Sequence, residues 1–288
     1  MANLKEIRNR ITSIKSTMQI TSAMKMVSAA KLKKAQDAIV AMRPYSSKLT
    51  ELLQNLSATL DGDSGGAFAI QREVSRVLLV VVTSNRGLCG GFNSSITKET
   101  VRTIKEKYKN VSVDLLTIGK KGGDVLGKSY NIIEKRNDIF DDLTFNNVAI
   151  IAEKLMDMYV DGSYDKIELV YNQFKNAATQ IPQVEQYLPI KPVEVSATVT
   201  TNSDYIFEPS KEEIVEALIP KALKTQLYKA LRDSFASEHG ARMTAMHKAT
   251  DNAKDLRDDL LLTYNKARQA AITNEILEIV GGAEALKS

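Results

Sequence analysis

Apolar and small residues recur at alternating spacings of three and four from residue 4 to residue 60. They run Leu4, Ile7, Ile11, Ile14 and Met18, then Leu32, Ala35, Ile39 and Met42, then Leu49, Leu53, Leu56 and Leu60. A 3-4 pattern sustained over about eight heptads predicts a coiled-coil helix rather than a helix of a globular core. At 1.5 Å per residue such a helix would be roughly 85 Å long. Pro44 lies inside it and is expected to kink it. The seam turns polar at Thr21, Lys25 and Ser28. Two roles are open for that patch: setting register, or marking where the helix leaves its partner and meets something else.

The other end of the chain repeats the theme. Ser210 to Glu213 reads as a capping box with Pro209 just outside. Positions 246, 249, 253, 256, 260, 263, 267, 270, 274 and 277 hold a weaker, Ala-rich seam that permits close helix approach. Gly281 and Gly282 mark where this helix is expected to end or loosen. A continuous helix here would be on the order of 110 Å long, with Pro220 leaving continuity near its start open. Neither seam can stay exposed, so the two helices are expected to wind around each other. A seven-residue repeat implies a left-handed supercoil, and a domain between them that returns the chain makes the pair antiparallel.

Between the arms the period changes. Val77 to Thr83 is an apolar, β-branched run that predicts a buried strand. A Gly-rich turn over 84–93 and a helix over 94–108 follow. Further strands are predicted at 111–118, 166–174 and 183–190, with an amphipathic helix at 146–160. Such alternation implies a mainly parallel sheet with covering helices. The fold class is therefore α/β: a long antiparallel N-/C-terminal helical coiled coil plus a central Rossmann-like α/β domain with a mainly parallel sheet. The expected parts are an N-terminal coiled-coil helix at 1–60, a central domain at 73–190, a linker at 191–209 and a C-terminal coiled-coil helix at 210–288. Residues 61–72 also look like a linker.

Candidate chemistry is sparse. Residues 122–129, GGDVLGKS, fit the phosphate-cradling pattern through Gly122, Gly127, Lys128 and Ser129. That loop requires a strand before it, a helix beginning near Gly-Lys-Ser, and an Asp at the end of another strand to hold the metal. The strand at 111–118 is present. The stretch YNIIEKRNDIF is a poor helix start, and KKGGDVLGK itself reads as the helix returning from the strand. No predicted strand ends in Asp. Lys128 and Ser129 are accordingly read as surface residues, and a small nucleotide-binding protein with coiled-coil arms is kept as the alternative.

The turn Asn85–Asn93 sits between a strand and a helix, but its glycines at 87, 90 and 91 miss the dinucleotide spacing. A tight turn is the expected role, and a small buried side chain the expected role of Cys89. His239 and His247 stand two turns apart, too far to share a metal. Asp258 and Asp259 are adjacent and cannot face one another on a helix. No nucleophile, base and orienting group fall at a recognisable spacing. Catalytic, cofactor and metal residues are each expected to be none.

Composition adds boundaries. The chain has 288 residues, one cysteine and no tryptophan, which excludes an intramolecular disulfide and suits a reducing compartment. No apolar run approaches the ~20 residues of a membrane-spanning helix. MANLKEIRNR shows no hydrophobic signal region and no Ser-rich transit character. Net charge is +4, with ten Lys and Arg against three Asp and Glu in residues 1–60. The basic first segment suits an acidic partner, nucleic acid or anionic lipid. Aromatic or Arg-rich readout residues for nucleic acid are missing from its outer faces, so no nucleic acid is expected.

Three stretches carry a resemblance: NLKEIRNRITSIKSTMQITSAMKMVSAAKLKKAQ, SNRGLCGGFN and YNKARQAAITNEILEIVGGAEAL. They resemble the gamma subunit of F-type ATP synthase, and the likeness runs in order through essentially the whole chain. The last stretch matches through Ile272, Thr273, Glu275, Glu278, Gly282 and Ala283. The resemblance implies a non-catalytic rotor shaft. Its coiled coil would stand inside a hexamer of three alpha and three beta subunits. Its α/β domain would be a foot on the c-subunit ring beside epsilon. Proton-driven rotation would force each beta site through its open, loose and tight states.

Carried over by motif, Met24, Lys25 and Met26 would meet the moving lever of beta. Arg268, Gln269 and Thr273 would engage a catch loop, and Ile276, Leu277, Ile279 and Val280 an apolar bearing. Tyr205 and Glu208 would contact the c ring and epsilon. Nothing resembles the paired-cysteine insertion of the chloroplast form, so an internal thiol switch is not expected. The resemblance, with no transit peptide evident, implies a peripheral protein on the cytoplasmic face of the bacterial plasma membrane.

Overall fold

The computed structural model describes residues 4–57, 66–190 and 211–285. In chain order these form α1 (Leu4–Ser57), a 3₁₀ turn (Gly66–Phe68), β1 (Arg76–Val82), α2 (Phe92–Lys107) and β2 (Ser112–Ile118). Then come α3 (Lys120–Leu126), β3 (Ile132–Arg136), α4 (Phe145–Val160), β4 (Lys166–Phe174), β5 (Gln180–Leu188) and α5 (Lys211–Ala285). Two compact units result. Ala29–Arg242 forms one, and Met1–Ser28 with Met243–Ser288 the other.

The larger unit is built on a five-stranded sheet in the order β3-β2-β1-β4-β5. Neighbours are parallel except for the antiparallel pair β4–β5. The run VLLVVV in β1 is fully buried because it is the central strand with helices on both faces. Leu78, Val80, Val82, Leu116, Ile118 and Leu169 point to one face and meet Ile151 and Leu155 of α4. Ile219, Leu223, Leu227 and Leu231 of α5 complete that layer. Their spacing of four places one apolar stripe on the sheet. Val77, Leu79, Val81, Leu115 and Val170 point to the other face, toward Ile96 of α2 and Leu126 of α3.

Several details differ from the reading of the sequence. β3 was not foreseen. It is a five-residue edge strand whose burial alternates, IIEKR, and its pairing shifts register between Leu115 and Leu116. So short and charged a run carries little periodic signal, and its charges suit an edge. β5 begins at Gln180 rather than at 183. The helix continues through both Pro44 and Pro220. At Pro44 the carbonyl that loses its N–H partner belongs to Val40, and both residues are exposed, so water can satisfy it. Likewise α5 does not end at Gly281 but is assigned through Ala285. The capping box at Ser210 lies outside the described residues.

In the smaller unit α1 buries Ile7, Ile11, Thr21 and Ser28. The hydroxyls of Thr21 and Thr250 share a hydrogen bond of 2.7 Å, and Lys25 Nζ lies 3.4 Å from His247 Nδ1. Rising numbers on one helix meet falling numbers on the other, so the pair is antiparallel. The polar patch of the seam is therefore shared between the helices. From Met246 onward the inward positions on α5 are 246, 249, 250, 253, 257, 260, 264, 267 and 271. The expected positions 256, 263 and 270 are exposed, and 257, 264 and 271 take their place. Leu256 is left exposed, while Arg257 lays its stem inward, an arrangement available to a long side chain with a charged tip.

One comparison within α5 tests this layering. Leu227→Ala, at a site with no exposure, is expected to cost about 2–5 kcal/mol of stability. Leu277→Ala, at a site 63% exposed, should stay within about 0.5 kcal/mol. Urea unfolding of the isolated chain followed by circular dichroism measures both. Equal costs would contradict the placement of α5.

Candidate functional site

In an open sheet of this order, ligands bind where the crossover direction reverses, beyond the carboxyl ends of the two central strands. Here those strands are β1 and β4. β1 ends at Val82, and the turn Ser84–Gly91 leads into α2. The turn is braced from within. Ser84 N and Oγ donate to Asn93 Oδ1 at 3.0 and 3.1 Å, and Asn93 Nδ2 donates to Cys89 Sγ at 3.2 Å. Leu88 and Gly90 take positive φ values of 62° and 58°. For Leu88 that is a costly conformation held by its surroundings. Cys89 is buried, and burial pushes its thiol pKa up, so it is a packed side chain rather than a nucleophile.

The crevice itself is filled by α5. Ser237 Oγ donates to Asn172 O at the end of β4, at 3.1 Å, and Asn172 Nδ2 donates to Phe92 O at 3.1 Å. Ala241 packs on Cys89 and Phe92. A side chain at Gly240 would place its Cβ 3.1 Å from Ala177 Cα, so glycine allows the helix its close approach. Arg242, 7% exposed, donates from Nη2 to Arg86 O at 3.2 Å and to Gly87 O at 3.3 Å. It also pairs with Glu238 at 2.7 Å. Backbone that would face a dinucleotide in an enzyme of this topology faces the chain's own helix.

Charge is managed tightly in this crevice. Burial raises the pKa of Glu238, while Arg242, Lys31 and Arg86 pull it down. Burial, with Arg242 and Lys31 beside it, lowers His239 to about 3. His239 is therefore a neutral imidazole packed edge-on against Phe235, with ring centroids 4.5 Å apart.

The Gly-Lys-Ser match lies elsewhere and is built the wrong way round for a phosphate. Gly122 and Gly123 are buried inside α3, with Gly122 N bonded to Thr83 Oγ1 at 2.8 Å. Gly127 caps the C-terminal end of that helix. The amides of Gly127, Ser129 and Tyr130 are bonded to Gly123 O, Leu126 O and Leu126 O. Lys128 and Ser129 thus stand exposed at a helix C-terminus, where the helix dipole repels an anion. Among the described residues no group of His, Cys, Asp and Glu is placed to hold a metal ion.

The remaining candidates are surface positions of the smaller unit. Met24 and Lys25 are half-buried and Met26 is 64% exposed. Arg268, Gln269 and Thr273 are exposed, Thr273 Oγ1 bonding back to Gln269 O. Ile276, Leu277, Ile279 and Val280 are exposed by 53–71%. Beyond Ala271 every described side chain of α5 is exposed, which leaves an apolar helix end without a covering layer in this chain. Tyr205 and Glu208 lie outside the described residues. The predicted contact residues did not include Ile20 and Val27 on α1, 60% and 57% exposed, or Ile272 on α5, 49% exposed, which entered only through the family resemblance. Their signal was available as apolar residues out of step with the seam.

A family model described as "ATP synthase" matches residues 3–286. The "ATP synthase gamma chain" of Flavobacterium psychrophilum is 71% identical over 287 residues, covering all of both chains. That of Flavobacterium johnsoniae is 72% identical over 288 residues, covering 99% of each. The chain belongs to the ATP synthase gamma family. Among solved structures, the central stalk and c-ring structure of Tetrahymena thermophila mitochondrial ATP synthase contains a chain 27% identical. Its TM-score is 0.62, covering 80% of this chain and 99% of that one. A chain of the Euglena gracilis mitochondrial ATP synthase has a TM-score of 0.72 at 23% identity, over 98% of this chain and 94% of that one, and shares the fold. No described helix of this gamma-family chain is long and apolar enough to cross a membrane.

Two measurements follow from the geometry. Between its unfolded value near 6.5 and its folded value of about 3, His239 takes up a proton only in the unfolded chain. Its contribution to stability is thus whole above about pH 6.5 and is lost as the pH falls through that window. Wild type should lose about 2 kcal/mol more than His239→Gln between pH 7 and pH 5; urea titrations at both values check it, and parallel losses would refute it. Isothermal titration with Mg-ATP should show no micromolar binding that Lys128→Ala abolishes.

Proposed function

We propose that this chain is the central rotor shaft of an F-type ATP synthase. It couples proton-driven rotation of the c ring to conformational cycling of the catalytic beta subunits. The observation that carries this reading is the bare end of α5. From Ile272 to Val280 five large apolar side chains stand in solvent at roughly half exposure or more. A surface of that kind calls for a surrounding protein. In the rotor reading, that surround is the bearing of a hexamer of three alpha and three beta subunits.

Arg268, Gln269 and Thr273 face its catch loop, and Met24, Lys25 and Met26 face the lever of beta. The sheet domain, residues 73–190, forms the foot on the c ring beside epsilon. Tyr205 and Glu208 in the 191–209 segment contribute to that contact. The chain hydrolyses nothing itself. Torque acts as contact energy that differs among the three beta sites, because a shaft touching all three alike would shift none of them. The basic first segment draws acidic partner surfaces at long range without fixed packing. The complex, on this reading, lies on the cytoplasmic face of a bacterial plasma membrane.

Affinity purification of the tagged chain from native membranes should bring down alpha, beta and epsilon together. A chain lacking residues 265–288 should keep the unfolding transition of its sheet domain and yield less assembled complex or less torque. Wild-type chain recovered without alpha and beta would end the rotor reading, and a truncated chain assembling and turning normally would end the bearing assignment.

A further inference from the structure

The torque of the rotor reading enters at the sheet domain and must leave through the long helices. The chain passes out of the larger unit between Arg242 and Met243 on α5, so Arg242 is the last α5 residue in that unit. Apolar packing, as along Ile219 to Leu231, is non-directional and holds the helix on its sheet by shape. Directional bonds add to it: Gln226 and Arg232 make them to Glu185 and Leu143 O, both at 2.7 Å, and the last before the chain leaves the unit are those of Ser237 and Arg242. Arg242 Nη2 donates to Arg86 O and Gly87 O and pairs with Glu238 on the helix side, while Nε also donates to Gly87 O at 3.4 Å. The pair with Glu238, at 2.7 Å and away from water, is the strong member of this set, and it holds the guanidinium in place over the two carbonyls.

The turn that receives them is stiff. Ser84, Cys89 and Asn93 tie it internally, and Leu88 is held at positive φ. Ser237 and Gly240 fix the same stretch of helix against Asn172 and Ala177. We propose that the filled crevice is the torque joint of the rotor, and that Arg242 is the positioning residue by which the sheet domain grips the shaft. The inference rests on the rotor reading above.

The test uses the whole complex in inverted membrane vesicles, carrying Arg242→Lys or Arg242→Ala. ATP hydrolysis and ATP-driven proton pumping are measured per assembled complex, with beta quantified in the vesicles. Lysine keeps a charge beside Glu238 but lacks the planar group that turns Nη2 and Nε together toward the carbonyls. The ratio of pumping to hydrolysis should fall on the order of threefold in Arg242→Ala and by less in Arg242→Lys. A role in folding alone would lower the amount of complex and leave that ratio unchanged, which overturns the proposal. Normal amounts with an unchanged ratio overturn it as well. Should Arg242→Ala fail to assemble, the ratio in Arg242→Lys decides by the same criterion. Absence of the wild-type chain from purified complex would instead refute the rotor reading itself.

Discussion

One helix has to meet three environments in succession, and the rest of the structure follows from that constraint. α5 is first a layer of a sheet domain, with Leu223, Leu227 and Leu231 wholly or almost wholly buried. It is next one strand of an antiparallel helix pair, joined to α1 at Thr250 and His247. Last, it is a bare apolar rod from Ile272 onward. Each regime sets its own composition: a Leu stripe for the sheet, Ala and polar residues for the pair, and an uncovered Ile, Leu and Val face at the end. Continuity through Pro220 lets Ile219 join the same stripe as Leu223, Leu227 and Leu231.

The crevice shows how the same topology serves a different purpose. An open sheet of this order leaves a cleft beside its central strands, with turn backbone exposed to whatever enters it. Here Asn172, Phe92, Ser237 and Arg242 connect the two sides, and the entrant is helical. Filling the cleft with protein buries a carboxylate and a guanidinium together, an arrangement that is tolerable only when each satisfies the other. His239 adds a third titratable group, and it remains neutral because burial disfavours its charged form and Arg242 and Lys31 already place positive charge beside it.

Much of this was legible in the residues. The apolar β-branched run of β1 announced a central strand. The 3-4 seam of α1 predicted its buried face correctly at Ile7, Ile11, Leu32, Ala35, Ile39 and Leu49. KKGGDVL was read as a helix despite its glycines, and so the phosphate-loop pattern was set aside for the reason the structure gives. What escaped was what depends on partners distant in sequence. β3 is a strand because β2 pairs with it. Pro44 and Gly281 stay helical because long-range continuity outweighs a local penalty. The α5 seam drifted because apolarity favoured Leu256, while geometry chose Arg257. The role of Arg242 could not be seen at all, since its partners are the backbone carbonyls of Arg86 and Gly87.

The uncovered end of α5 has a consequence for the cell that makes the protein. A free copy displays Ile272, Ile276, Leu277, Ile279 and Val280 to every chaperone, protease and fellow copy it meets. Synthesis in excess of its partners would leave adhesive rods with no housing. Production of this chain must therefore be matched to that of its surround, and orphans must be short-lived. The same five apolar residues that suit a bearing also act as a timer on unassembled protein.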